Sequence, residues 1–261
     1  MAPPIFWINM DVATDRRAHM ERMLDGYGYD HTRVCAHTPD AMPPYKTGEW
    51  QRDCLPAEIA CTMSHLKAMH AAVSSRGEHS PEYFVVCEDD LVMPHAIVFD
   101  EIHARAPHGY ECLQIMCSNP QVCGLMFNLP FLEKQELFSA WNKYFYGAGM
   151  YMIRYDAAEA FLQRCSYTGN IGTVRFDSLH RLPYPFNAPL SDVAIYDNNR
   201  TYTINTPIVH CLDNDSYIHP QHVGLFHSPF TEIALNCMKH PASTDPNGPL
   251  AKIMPTLLGS A

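Results

Sequence analysis

A chain of 261 residues with 47% apolar side chains has room for one large domain or two small ones, and enough apolar material for a substantial core. Its 28 acidic against 18 basic side chains give a net charge of −10, and the basic residues are scattered, which excludes the footprint of a nucleic-acid-binding protein. The opening run "PIFWIN" is far too short for a secretory core or a membrane span, and the ten cysteines fit neither a small-domain disulfide framework nor a zinc knuckle. Buried thiols and a cytoplasmic location are therefore expected.

In chain order, residues 4 to 9 form a short continuous apolar run that predicts a buried strand. Thr14 is placed to cap a helix with a core stripe of Met20, Met23, Leu24 and Tyr27, ending in the Gly26 to Gly28 region. A second strand, about Thr32 to Cys35, follows, and then an irregular loop from Pro39 to Glu49. Pro56 and Glu58 open a long helix in which Ile59, Met63, Leu66, His70 and Val73 recur at alternating four- and three-residue steps. Cys61, His65, Ala68 and Ala72 form a second face of that helix, so it is expected to be mostly buried, with His65 in a special environment. A strand at 83 to 88, a helix from about Pro94 to Ala104 and a strand near Cys112 to Met116 complete an alternation that predicts a layered, largely parallel α/β sheet. Further on, a strand at Gly149 to Ile153 turns into a helix at Asp156 to Cys165, and "RTYTINTPIVH" contains another strand. Residues 166 to 190 read as a long loop suited to a lid or binding role, and the tail from Pro241 as a peripheral segment.

The chemistry gathers where apolar strands end. "YFVVCEDDLVM" runs straight into Glu88, Asp89 and Asp90, whose mutual repulsion a divalent cation would relieve; a solvated acidic turn is the other reading. "INMDVATDRR" puts Asn9 at the end of the first strand and Arg16 and Arg17 in the next helix's first turn. There they either face an anion such as a diphosphate or pair with Asp15 or Glu21. Ser64 and His65 either reach a ligand or form core hydrogen bonds. Among the histidines His210, His219, His222 and His227, His210 ends an apolar strand and is the candidate nitrogen ligand to a metal at the acidic cluster.

The ordered blocks "IFWINMDVATDRRAHMERML", "LPAEIACTMSHLKAMHAA" and "YFVVCEDDLVM" resemble the family 25 glycosyltransferases, which include lipooligosaccharide sugar transferases and collagen galactosyltransferases. Ile8, Asn9, Met10, Asp11, Asp15, Arg16 and Arg17 match the family's opening; Glu58, Ile59, Cys61, Ser64 and His65 match its second block, with Ala57 and Ala60 in place of two glycines. "YGAGMYMIRYDAAEAFL" is similar to a fourth block through Tyr146, Gly147, Tyr151, Ile153 and Ala158, and "LSDVAIYD" to a downstream segment through Asp192.

The resemblance implies a GT-A fold at residues 1–240, with a nucleotide-binding part at about 1–120, an acceptor-side part at about 121–240 and a peripheral tail at 241–261. It implies inverting transfer of a sugar from a UDP-sugar to a hydroxyl of a carbohydrate acceptor, with Mn²⁺ or Mg²⁺ as cofactor. On this reading Glu88, Asp90 and His210 contact the metal, and Ile8, Asn9, Met10, Arg16, Arg17, Ser64, His65, Glu88 and Asp89 surround the donor. Asp192 is the candidate catalytic base or else a helix-terminal acid, and Trp141, Tyr144, Phe145 and Tyr146 either face the acceptor or pack the core. The alternatives are a metal-dependent phosphohydrolase or nucleotidyl transferase, and a non-catalytic sugar-nucleotide-binding protein. Glycan assembly on the cytoplasmic side in a bacterial or viral setting suits the absence of a leader.

Overall fold

The computed structural model describes residues 2–42, 55–127, 136–175, 190–212, 223–240, 243, 245–248 and 250–255. His219, His222, much of the loop predicted over 166–190 and part of the tail lie outside them.

The first strand, β1 (Ile5–Asn9), is followed by α1 (Thr14–Gly26), β2 (His31–Cys35), α2 (Pro56–Ser75) and β3 (Tyr83–Glu88). Next come β4 (Leu91–Val92), α3 (Phe99–Arg105), β5 (Cys112–Gln114), α4 (Pro120–Phe127), β6 (Phe138–Ala140) and β7 (Met150–Arg154). The chain then forms α5 (Tyr155–Arg164), α6 (Ser191–Asp197), β8 (Thr201–Ile204), β9 (His210–Cys211) and α7 (Ser228–Lys239), the last entered through a π-helical turn, Val223–His227. Among the described residues, seven strands form one sheet in the order β2-β1-β3-β7-β5-β8-β6; β4 and β9 pair separately. β1 pairs in parallel with both β2 and β3, and β5 with β8, whereas β7 runs against β3 and β5 and β6 against β8. Five of the seven strands therefore share one direction, the mixed, mostly parallel α/β arrangement expected.

Strand alternation explains why the apolar runs are continuous. Ile5, Trp7, Val85 and Cys87 point into one core layer with Met20 and Leu24 of α1, while Phe6, Ile8, Phe84 and Val86 point into the other with Ile59, Met63 and Leu66 of α2. Helices α1 and α2 thus cover opposite faces. Because β1 has β2 on one side and β3 on the other, the crossovers diverge at the carboxyl ends of β1 and β3, the place where an open α/β sheet offers a crevice.

Several boundaries differ from the sequence reading. Thr14 is the first helical residue and not a cap: Ala13 precedes it, its carbonyl taken by the Asn9 side chain and its N–H by the Met10 carbonyl. The helix expected from Pro94 begins only at Phe99, because Leu91 and Val92 first pair with β9. The strand expected to reach Met116 ends at Gln114, whose side-chain amide turns to the carbonyls of Phe145, Tyr146 and Gly147. Gly28, at φ +71, makes the left-handed turn between α1 and β2 that a side chain would strain.

Candidate active site

The pleat of β3 separates the acidic triplet. Glu88 turns to the α2 face, where its Oε1 lies 3.0 Å from His65 Nε2 and 3.5 Å from Cys61 Sγ. Asp89 turns to the α1 face, where Oδ2 accepts from Asn9 Nδ2 at 2.6 Å and Oδ1 from Arg16 Nη1 at 3.0 Å. Asp90 sits between, its Oδ2 3.7 Å from the same Arg16 nitrogen. Its backbone carbonyl accepts from Leu212 N, which ties β9 to this end of the sheet.

The electrostatics follow from these partners. Burial favours the neutral form of Glu88, but the His65 hydrogen bond, together with Cys61 and the nearby charge of His227, outweighs it and leaves the carboxyl below its ordinary range. Asp89 is buried and shifted upward by desolvation, against the pull of Asn9 and Arg16. Asp90 is pushed up to about 7, first by burial and then by Glu88 and Asp89, with Arg16 too weak a counterweight. This excess of negative charge, offered by hard oxygen donors, suits Mn²⁺ or Mg²⁺.

The two arginines diverge. Arg16 is half-buried against Asp89 and Asp90, whereas Arg17 is exposed and pairs with Glu21 one turn along α1. Ile8 packs in the α2-side core layer, and Met10 lies half-buried just beyond β1. Ser64 is a core hydrogen-bonding residue: its hydroxyl donates to the Ala60 carbonyl and accepts from His37 N. His65 is fully buried, its Nδ1 3.1 Å from the Tyr151 hydroxyl.

His210 lies in β9 opposite Val92, with Nδ1 2.8 Å from the Cys211 carbonyl oxygen. Among the described residues, the group of three whose ligand atoms fall within 4.8 Å of one another is Cys61, His65 and Glu88. Glu88, Asp90 and His210, the metal set expected from sequence, do not converge in that way.

Asp192 opens α6 beside this cluster. Its Oδ2 accepts from Gly147 N at 3.1 Å and Oδ1 from Val193 N at 2.9 Å, while the adjacent Ser191 Oγ is 3.6 Å from Cys61 Sγ. Burial raises the Asp192 carboxyl above its ordinary range, the two backbone amides oppose that, and Glu88 adds to it. Gly147 holds this geometry at φ +100, where an added Cβ would run into Ser118.

Of the aromatic group, Phe145 is core, while Trp141 and exposed Tyr144 line a hollow of about 450 Å³ with Tyr196, roughly one helical turn from Asp192. A hollow of about 480 Å³ lined by Glu82, His103, Tyr110 and Arg154 lies at the opposite end of β3, away from the acids.

Sequence reading did not single out Arg33 or Tyr151 as site residues. Arg33 donates to Asn9 Oδ1 at 2.7 Å and also pairs with Asp11, fixing the side chain that in turn fixes Asp89. Nothing in the local pattern of β2 signals this. Tyr151 was legible only as part of the "YGAGMYMIR" block.

Parallel strands ending in paired polar and acidic side chains at the divergence of two crossovers define a Rossmann-like α/β protein, an arrangement in which ligands bind at the carboxyl ends of the strands. Residues 2–179 match glycosyltransferase family 25 (LPS biosynthesis protein), and the chain belongs to that family. Curated proteins yielded no match. Among solved structures, a Drosophila beta-1,4-galactosyltransferase 7 variant in complex with manganese, UDP-Gal and xylobiose is similar at 12% identity and a TM-score of 0.28, over 63% of this chain and 52% of that one. The chain thus spans about half the length of that structure. Among the described residues no helix is long and apolar enough to cross a membrane.

Proposed function

We propose that this glycosyltransferase is metal-dependent and inverting, moving a sugar from a UDP-sugar to a hydroxyl of a glycan acceptor, in cytoplasmic glycan assembly of a bacterial or viral kind. The observation that carries the reading is the placement of Asp90, an acid just past the carboxyl end of β3 with its Oδ2 3.7 Å from Arg16 Nη1 and its backbone carbonyl tied to β9 through Leu212 N. A bound Mn²⁺ or Mg²⁺ would supply Lewis-acid charge for the departing diphosphate. Asp90 is the residue best suited to hold it directly; His210 on β9 and Glu88, whose ligand atoms do not converge with Asp90, would join it only through a change of rotamer or through water.

At the end of β1, Met10 lies just past the paired strand and would meet the nucleotide, with Ile8 and Asn9 holding it in place from within the sheet, and Arg16 steadies Asp89 for the donor. Arg17 lies on the outer face of α1, paired with Glu21, and supplies at most long-range positive charge. Ser64 acts through its helix, and His65 through Glu88. Asp192 is the base: its carboxylate takes the acceptor hydroxyl proton as that oxygen attacks the anomeric carbon opposite the leaving diphosphate. Its raised proton affinity makes it a better acceptor than an exposed aspartate, a role worth about 10² to 10⁴ in rate.

The test is UDP release from a panel of UDP-sugars, with and without glycan acceptors, beside calorimetric UDP binding with and without Mn²⁺. Acceptor-dependent UDP release that needs the cation supports the reading. Full UDP affinity in Asp90→Ala with chelator present would overturn the metal role. Release of inorganic phosphate would identify a phosphohydrolase, and binding without turnover a sugar-nucleotide-binding protein.

A further inference from the structure

Cys61, His65 and Glu88 form a second cluster of metal-ligating atoms, chemically unlike the hard-oxygen site at Asp90. Cys61 and His65 stand one turn apart on α2 and point to the same carboxylate oxygen, at 3.5 and 3.0 Å, with all the ligand atoms inside 4.8 Å. A tetrahedral ion with bonds of about 2.0–2.3 Å to nitrogen, oxygen and sulfur requires ligand-to-ligand edges of about 3.3–3.8 Å. The 3.5 Å contact lies inside that range and the 3.0 Å contact a little below it, so a few tenths of an ångström of adjustment would bring both onto tetrahedral edges.

The surroundings fit as well. The Tyr151 hydroxyl, 3.1 Å from His65 Nδ1, can accept that ring's N–H and so leave Nε2 free for a metal, as the outer partner of a ligating histidine does. The Ser191 hydroxyl, 3.6 Å from Cys61 Sγ, can donate to a thiolate. His65 is fully buried while Cys61 and Glu88 are half-buried, which leaves one side open for a fourth ligand such as water.

We propose that Cys61, His65 and Glu88 bind a thiophilic divalent ion of the Zn²⁺ class. Binding releases the Cys61 proton to solvent and moves the His65 proton to Nδ1. The thiolate and the carboxylate then neutralise the ion within a mostly buried pocket. Softness sorts the two sites: the thiolate selects Zn²⁺ or Co²⁺ here, and oxygen donors leave Mn²⁺ or Mg²⁺ to Asp90. The site needs no nucleotide and does not depend on the identity of the donor.

The experiment titrates metal-free protein with Co²⁺ alone. A thiolate-to-cobalt charge-transfer band that saturates at one equivalent, disappears on adding Zn²⁺ and survives excess Mn²⁺ supports the site. Cys61→Ser should abolish the band, Cys35→Ser should keep it, and Tyr151→Phe should weaken Zn²⁺ binding about 10-fold or more. Asp90→Asn should keep the band while losing Mn²⁺-dependent UDP binding, so the two sites fail separately. X-ray absorption of the zinc-loaded wild type, which needs no variant to fold, should show one sulfur at about 2.3 Å. A zinc spectrum without sulfur, or a cobalt band that persists in folded Cys61→Ser, overturns the proposal.

Discussion

The side-chain amide of Asn9 donates to Asp89 at 2.6 Å across two parallel strands, and its own oxygen accepts from Arg33 at 2.7 Å. Asn9 is therefore a relay that fixes an acid just past β3 from an arginine on β2. Asn9→Ala leaves a buried carboxylate oxygen and a guanidinium each short of a partner, which should cost about 1–3 kcal/mol. Urea denaturation measures the loss; an unchanged midpoint would show that Asp89 finds another donor.

The two arginines of α1 should behave differently. Arg16→Ala removes the cation that faces Asp89 and Asp90, both groups being mostly buried, and should cost about 3–5 kcal/mol in metal-free protein. Arg17→Ala, on the exposed surface, should leave the unfolding midpoint where it was. Equal losses in the two variants would contradict the division of roles.

Acid stability carries the signature of Asp90. Its folded-state value, about 7 against an ordinary 3.8, means that the folded protein binds a proton the unfolded chain has already released. Its contribution is complete below about pH 4 and is lost as pH rises to about 7, an effect on the order of a few kcal/mol. Glu88, held below its ordinary range, acts in the opposite sense and loses its contribution as pH falls. Thermal unfolding of metal-free protein between pH 5 and pH 8 should decline more steeply for wild type than for Asp90→Asn, and parallel curves would rule out this assignment.

Gly147 couples backbone strain to the proposed base. Gly147→Ala forces a Cβ toward Ser118 at φ +100 and shifts the N–H that Asp192 accepts. The cost should be about 1–3 kcal/mol, with turnover falling more than donor affinity. Asp192→Asn should lower turnover about 10² to 10⁴-fold and spare UDP binding; equal loss of both would mean Asp192 serves the fold.

The central strands and helices were legible because β1 and β3 are buried on both faces, and that burial leaves an unbroken apolar run. α2 was equally plain from its two apolar stripes. The ends were harder, since the start of α3 depends on β4 pairing with a strand more than a hundred residues later, and α4, β6 and α7 carry no comparable local signal. At the site, sequence order exposed Asn9, Arg16, His65 and the acids, whereas the separation of Arg16 from Arg17 is a matter of helix phase against a sheet. The Cys61 contact with Glu88 required knowing which face of β3 meets α2.

Because the pleat sends Glu88 and Asp89 to different helices, the three acids are not interchangeable, although a linear motif writes them as one run. Exchanging the two side chains would conserve charge, composition and neighbours, yet present a shorter reach to His65 and a longer one to Asn9. What a string of letters records as three negative charges is, in the folded chain, an address for each of them.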